Sequence, residues 1–207
     1  MAIITVDELK THLGIPDTTD EPLVGWATAA ANQYVVEYCG RTFDKTAILS
    51  ASARTFRPDA GCSVWTDDFW ETTALVVKVD NDDDGTFEET WTITTDFYLE
   101  PLNGQLHGQT RPYYRIVPAA GRVLPTWGRR PSVQVTAAWG WAAVPAMVKH
   151  ATLLQGARLF KRKDSAEGVL GGFADFTAVR VSGRIDPDVA DELGPFRHPK
   201  IAAPQVA

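Results

Sequence analysis

The spacing of hydrophobic residues changes twice along this chain, and this pattern limits the possible folds more than any other feature of the sequence. Apolar residues recur at helical spacing up to about residue 46, alternate through residues 47–140, and return to helical spacing from 141. Gly, Thr and aromatic residues become frequent in the middle region, as is typical of strands and turns. The pattern predicts an α+β protein with a helical bundle core of about four helices and an inserted antiparallel β domain. The predicted parts are a helical core of residues 1–46 and 141–175, a β domain of 47–140, and an extended C-terminal arm of 176–207 with a short helix and a disordered tail.

Two helices are predicted before the β region. Thr5 and Glu8 have the spacing of a capping box, and Gly14 ends the first helix. Asp20 is placed to cap a second helix that ends at Gly40. Alanines are frequent in the second helix, so another helix can approach it closely. Its expected buried face consists of Leu23, Trp26, Ala27, Ala30, Tyr34 and Tyr38.

Alternation and β-branched content predict four strands. They cover residues 74–79, 87–93, 113–117 and 132–139, and the last has Val133, Val135, Ala137 and Trp139 on one face. The acidic pair Asp67 and Asp68 is interpreted as solvated charge in a loop. Residues 101–112 are predicted to be a mobile polar loop.

A long helix with a basic end is predicted over residues 144–165. Pro145 suits its first turn, and the apolar positions spread over more than one stripe, which indicates a mostly buried helix. Four cations gather at its last turn: Arg158, Lys161, Arg162 and Lys163. Taken alone, this cluster favours complementation of the helix dipole and solubility over a contact with nucleic acid or an acidic protein. Asp186 and Pro187 then open a short helix, and residues 197–207 show no periodicity.

The composition limits the possible partners and compartments. The chain has 20 basic and 26 acidic residues, a net charge of −6, which argues against broad attraction to nucleic acid or an anionic membrane. Its 2 cysteines cannot form a disulfide framework, and no Cys or His spacing resembles a zinc site. We find no secretory leader and no apolar run of membrane-spanning length, so a soluble, non-secreted protein is expected.

An acidic segment begins like a calcium-binding loop. Asp80, Asp82 and Asp84 occupy the first, third and fifth places of such a loop, and Gly85 occupies the sixth. The twelfth place, which requires a bidentate Glu, holds Trp91, and both flanks are strand-like rather than helical. The segment therefore favours a solvated hairpin turn, with these three aspartates as the only candidate metal ligands.

No catalytic constellation is present in the sequence. The 4 histidines lie far apart, and no nucleophile elbow, zinc-protease motif or phosphate-binding loop occurs. The sequence predicts neither an enzyme nor a cofactor.

Several short motifs occur together in an order that resembles one protein family. They are residues 7–10 with 13–15, residues 37–43, Trp139-Gly140-Trp141, Val144-Pro145 with 157–165, and residues 184–189 before 195–197. The set covers nearly the whole chain and resembles the head-to-tail connector (adaptor, neck) proteins of long-tailed bacteriophages. The long β insertion and the acidic hairpin 80–85 look like those of adaptors in actinobacterial phages, whereas smaller members of the family are almost purely helical.

The resemblance implies a structural virion protein made in the host bacterial cytoplasm. It implies a ring, typically of twelve subunits, bound beneath the portal protein, with a stopper or tail-completion protein on the other side and the genome passing through the channel without specific binding. The second helix and the basic end of the long helix are expected to form the ring interface. The arm of residues 176–207 is expected to contact the portal, with Arg180, Arg184, Phe196 and Arg197 as candidate residues.

Two other functions stay open at this point. One is a calcium- or glycan-binding β module, which a titration with the ion or glycan would detect. The other is a DNA-binding neck protein, for which DNA affinity should fall with rising salt.

Overall fold

The structure is a computed structural model that describes residues 2–59, 62–162 and 185–202. The chain divides into two compact units. Unit 1 consists of Met1–Arg41 and Val144–Ala207, and unit 2 consists of Thr42–Ala143. In the described ranges, none of the helices is long and apolar enough to span a membrane.

Unit 1 is helical. Its helices are α1 (Val6–Leu13), α2 (Glu21–Cys39), α3 (Ala146–Lys161), α4 (Pro187–Leu193) and α5 (Pro199–Ala202), and a 3-10 turn at Gly194–Phe196 joins the last two. Helix α3 packs against α1, α2 and α4. It therefore occupies the centre of the unit.

The ends of the first two helices follow from local sequence. The N–H of Glu8 donates to the Thr5 hydroxyl at 3.3 Å, and the N–H of Thr5 donates to the Glu8 carboxylate at 2.8 Å. This confirms the predicted capping box. Gly14 and Gly40 end α1 and α2 in the left-handed conformation. The predicted cap at Asp20 is wrong, because its side chain makes no capping hydrogen bond to α2.

Small residues form the contact between α2 and α3. A Cβ placed on Gly156 of α3 would lie 3.1 Å from both methyl groups of Leu9 on α1 and 3.5 Å from the Cβ of Ala31 on α2. The backbone of α3 therefore lies close to the alanine-rich part of α2, as predicted. The buried residues of α2 are Val24, Ala27, Thr28, Ala31, Val35 and Cys39.

The residues after α3 that the structure describes pack onto α3 and α2. Helix α4 begins at Pro187, as the sequence predicts, and the carboxylate of Asp186 caps it by accepting from the N–H of Asp188 at 2.9 Å. Val189, Leu193 and Phe196 are buried. The N–H of His198 donates to the carbonyl of Cys39 at 2.7 Å. Regular structure continues into α5, beyond residue 197, where the sequence shows no periodicity.

Unit 2 is an antiparallel sheet with a small separate hairpin. The strands are β1 (Ser52–Phe56), β2 (Val64–Val79), β3 (Glu89–Trp91), β4 (Phe97–Glu100), β5 (Gln105–Leu106), β6 (Gln109–Thr110), β7 (Tyr113–Pro118) and β8 (Val133–Trp139). The six-stranded sheet has the order β1-β8-β2-β7-β4, and β3 pairs with β2. Strands β5 and β6 form the hairpin, so the predicted loop at 101–112 contains paired strands.

The fold class predicted from the sequence needs correction. The α+β assignment fits in part, but the core is not a helical bundle, because a sheet of six strands encloses its own hydrophobic cluster around Phe69, Phe97, Ile116 and Leu124. Strand β2 is 16 residues long and contains the Asp67-Asp68 pair that the sequence placed in a loop. Asp67 pairs with Arg54 at 2.6 Å, and the buried Asp68 accepts from the indole N–H of Trp141 at 2.8 Å. Two long-range partners therefore hold the acidic pair in a strand.

The two ends of unit 2 meet at Gly140. Its N–H donates to the carbonyl of Asp68 at 2.6 Å, and the N–H of Trp141 donates to the carbonyl of Asp44 at 2.9 Å. Gly140 has φ +98°, and a Cβ there would lie 1.5 Å from the Asp44 carbonyl oxygen. Both the dihedral angle and the close contact require glycine.

A carboxylate and guanidinium cluster fastens the β3 side of the sheet. Arg122 contacts Glu89 at 2.8 Å and the buried Asp96 at 2.6 Å. The pKa of Asp96 lies below its ordinary value, because its carboxylate accepts from the N–H of Thr92 and faces the Arg122 guanidinium. Deprotonated Asp96 is thus the form that the fold stabilises.

Candidate interaction surfaces

The basic end of α3 and a histidine on the same helix make ion-pair contacts within unit 1. Arg158 forms an ion pair with Asp186, the residue that caps α4. His150 Nδ1 lies 3.1 Å from Glu192 of α4, so this side of α3 is engaged inside unit 1. Lys161 is exposed and Arg162 is half-buried. Arg158 and Lys161 both lie in the last turn of α3 and are exposed, and Arg158 also has its ion-pair partner within unit 1.

The other predicted partner residues have different positions. Phe196 is only 3% exposed, so its ring contributes to the core of unit 1. The guanidinium of Arg197 lies 5.2 Å from the ring centroid of Tyr38 on α2. Lys163, Arg180 and Arg184 lie outside the described residues.

An aromatic surface on α2 is the feature that sequence reasoning missed. Trp26 is 71% exposed, and Leu23 and Tyr34 are also exposed, although we predicted all three to be buried. Helix α2 has apolar residues on more than one side, and it contains two acidic residues but no Lys, Arg or His. This spread of apolar residues is the signal that could have shown that some of them are exposed. We call Leu23, Trp26 and Tyr34 the α2 aromatic face.

Most tryptophans outside this face lie beside a cation. In the described residues, a Lys or Arg lies within about 6 Å of the ring centroid of five of them, a distance typical of cation–π contacts. These pairs are Lys45 with Trp70, Arg54 with Trp139, Arg111 with Trp141, Arg115 with Trp65 and Arg122 with Trp91. Trp127, in the loop before β8, is 68% exposed and resembles Trp26 in that respect.

The acidic turn after β2 is organised by Asp80. One oxygen of this buried carboxylate accepts from the N–H groups of Asp82 and Asp83 at 3.3 and 2.8 Å, and the other accepts from Gly85 at 2.9 Å. Asp84 accepts from the N–H of Thr86 at 2.6 Å. These bonds form the solvated turn that the sequence favours.

The next aspartate fastens a neighbouring loop to this turn. Asp83 accepts from the N–H groups of Arg129 and Arg130 at 3.2 and 3.0 Å, and these bonds hold the pKa of its carboxyl below the ordinary value. The guanidinium of Arg130 donates in return to the carbonyl of Asp84. A Cβ on Gly128 would lie 2.4 Å from the Asp83 carboxylate, so a side chain there would disturb the contact.

The same turn contains the only acidic cluster in the described residues with room for a cation. One carboxylate oxygen each from Asp80, Asp82, Asp84 and Glu88 lies within 4.8 Å of the others. Glu88 was not among the predicted ligands, although it holds the ninth place of the calcium-loop pattern. Because Asp80 already accepts three N–H groups, the arrangement first serves the turn, and the absence of a bound cation stays a prediction.

The first part of the chain matches one family model. Residues 3–61 match the family model described as phage gp6-like head-tail connector protein. This match confirms the resemblance to head-tail connector proteins that the ordered motifs indicate. No curated protein matches the chain.

Solved structures provide a comparison of the fold. A chain from the neck of an empty GTA particle, computed with C6 symmetry, is 16% identical with a TM-score of 0.50, and the match covers 89% of this chain and 94% of that one. A chain from the neck of a native GTA particle, computed with C12 symmetry, is 15% identical with a TM-score of 0.47, with 93% and 87% covered. The first likeness shows a shared fold over nearly the whole of both chains.

Proposed function

We propose that the protein is a structural virion component, a head-to-tail adaptor that forms a ring of twelve copies beneath the portal. It joins the portal to the stopper or tail-completion protein, and the genome passes through its channel. The observation that carries the proposal is the connector-family match over residues 3–61, which include α1 and α2. The fold shared with a chain from the neck of a GTA particle supports the same role.

A structural role without catalysis is part of this proposal. It rests on the connector family and on the absence of a catalytic motif in the sequence. We also propose that unit 2 is an insertion in the helical unit, because unit 1 is built from two separated parts of the chain.

The proposed channel lets DNA slide because it does not bind DNA tightly. A net charge of −6 provides little net attraction for backbone phosphates. Fluorescence anisotropy with labelled duplex DNA should therefore show no saturable binding at low salt. Binding that weakens steeply with salt would favour the DNA-binding neck protein instead.

The placement in the particle is tested by electron microscopy. Cryo-electron microscopy of intact virions should show a ring of this fold between the portal and the tail. Virions that assemble with the protein absent from the neck would overturn the proposal. The same maps give the number of copies and the two neighbours, which tests the ring and its partners separately.

We propose that the C-terminal residues contact the portal. A variant that tests this contact must leave the hydrophobic core of unit 1 intact. Val189, Leu193 and Phe196 are buried, so deleting residues 183–207 would damage unit 1 itself. A better variant combines Arg180→Glu with Arg184→Glu and keeps 185–202 intact. We expect loss of co-sedimentation with purified portal and an unchanged melting temperature. Undiminished co-sedimentation would remove these two arginines from the contact.

A further inference from the structure

The residues just before the β5–β6 hairpin form a chemically labile pair, Asn103-Gly104. Asn103 is the one asparagine in the sequence that precedes a glycine, and its side chain is exposed. Because glycine has no Cβ, nothing shields its main-chain nitrogen from the side chain of the residue before it. In water, an asparagine in this setting loses ammonia spontaneously and becomes aspartate or isoaspartate.

The reaction is an attack of the chain on itself. The Gly104 nitrogen forms a bond to Cγ of Asn103, and the bond from Cγ to Nδ2 breaks. Nδ2 leaves as ammonia and takes up the proton lost from the Gly104 nitrogen. Water then adds to either carbonyl of the resulting five-membered succinimide ring and breaks its bond to the ring nitrogen. Water is thus the only reagent that the reaction consumes.

The backbone conformation of the fold prevents this ring from closing. The ring forms only when the Gly104 nitrogen and the Cβ of Asn103 lie on the same side of the bond between Cα and C. Asn103 has φ 59° and ψ 19°, which leaves the Gly104 nitrogen nearly trans to that Cβ. The chain must therefore rotate far about this bond before the reaction can begin.

Hydrogen bonds and packing hold Gly104 in the unreactive position. Its N–H donates to the carbonyl of Pro101 at 3.0 Å, and its carbonyl accepts from the N–H of Arg111 at 2.9 Å. Gly104 is buried, and a Cβ there would lie 3.2 Å from the Tyr113 hydroxyl. Rotation at Asn103 would break both hydrogen bonds and move Gly104 away from Tyr113.

The hairpin that follows is the element most easily opened at this place. Strands β5 and β6 form a separate two-stranded sheet with two paired positions. The two loop residues, His107 and Gly108, have φ 52° and 73°, so both need a conformation that glycine adopts most easily. Short elements with few buried contacts open far more often than the core of a protein.

We propose that Asn103-Gly104 is a deamidation site, and that local opening of the β5–β6 hairpin sets its rate in the folded chain. The closed hairpin excludes the reaction, and each opening permits it. The product has one more negative charge, and isoaspartate also lengthens the main chain by one methylene group. A turn altered in this way cannot restore both Gly104 hydrogen bonds, so the hairpin stays open. This inference is independent of the proposed adaptor role.

Two alanine variants distinguish local opening from unfolding of the whole of unit 2. Gly108→Ala strains the hairpin loop, and Gly121→Ala places the same kind of strain in the turn after β7. Both glycines have a positive φ, and neither has an atom within 4 Å of the position of its missing Cβ. The two substitutions therefore differ mainly in their place, and both variants keep the Asn103-Gly104 pair.

Deamidation is measured by mass spectrometry of the peptide that contains Asn103, after the full chain is incubated at neutral pH. In urea that unfolds the chain, the wild type and both variants should react at one rate. The folded wild type should react at least about thirtyfold more slowly, because opening breaks two hydrogen bonds. Gly108→Ala should raise the rate in the folded chain about 5–30-fold, whereas Gly121→Ala should change it less than about twofold.

Three results would overturn the proposal. A folded wild type that reacts as fast as the unfolded chain would show that the turn gives no protection. Equal acceleration by Gly108→Ala and Gly121→Ala would show that the reaction requires unfolding of the whole unit. An unchanged rate in Gly108→Ala would show that the hairpin does not control it. Asn81, which precedes an aspartate, is the internal control and should react much more slowly than Asn103 in urea.

Discussion

The strongest single-residue prediction concerns Gly140, where the two ends of unit 2 meet. An alanine there would adopt φ +98° and would place its Cβ 1.5 Å from the Asp44 carbonyl oxygen. The positive φ alone costs about 1–2 kcal/mol for a residue with a Cβ. Relief of the overlap requires the two segments to separate, which breaks the hydrogen bonds from Gly140 to Asp68 and from Trp141 to Asp44.

Each broken hydrogen bond removes about 1 kcal/mol from the stability, so Gly140→Ala should cost about 3–4 kcal/mol in total. For a unit of this size, that corresponds to a melting temperature lower by about 12–30 °C. Thermal unfolding followed by tryptophan fluorescence is a suitable assay, because Trp139 and Trp141 flank the substituted residue.

The matched control is Gly121→Ala. Gly121 also has a positive φ, +84°, but no atom lies within 4 Å of the position of its missing Cβ. It therefore measures the dihedral cost alone, about 1–2 kcal/mol. If Gly140→Ala lowers the melting temperature no more than Gly121→Ala does, the steric part of the reasoning is refuted.

Three further predictions test packing, titration and the acidic turn. Gly156→Val should lower the free energy of unfolding in urea by about 1–3 kcal/mol through overpacking, whereas Gly25→Ala, which meets no atom within 4 Å, should raise it by about 0.5–1 kcal/mol. The pKa of Asp96 is lowered in the fold, so its stabilisation is complete above about pH 4 and is lost as the pH falls through the native pKa. Acid titrations should show that the wild type loses stability more steeply below about pH 4 than Asp96→Asn does. Calorimetry with millimolar Ca²⁺ should show no binding heat, because the Asp80 carboxylate already accepts three N–H groups, and a saturable heat would contradict this.

The elements that the sequence predicted correctly are those with local signals. The capping box at Thr5 and Glu8, the start of α4 at Asp186 and Pro187, and the alternating face of β8 all depend on residues a few positions apart. The connector resemblance likewise depended on short motifs. These features need no knowledge of distant contacts.

The features that the sequence misassigned depend on distant partners or on a choice between equivalent faces. In α2, the set containing Trp26 and the set containing Ala31 have the same helical spacing, and close packing against Gly156 selects the small residues for burial. Asp68 lies in a strand because Trp141, 73 positions later, donates to it. Arg158 is engaged within unit 1 by Asp186, which is also distant in sequence. No local pattern contains this information.

The hydrogen bond between Asp44 and Trp141 also affects how this architecture can vary. It holds the entry and the exit of unit 2 side by side, and the bridge between Lys45 and Gly140 adds a second link. The entry and the exit of unit 2 therefore stay side by side, whatever length of chain lies between these residues. A lineage could lengthen, shorten or exchange the intervening sheet without separating these two ends of unit 2.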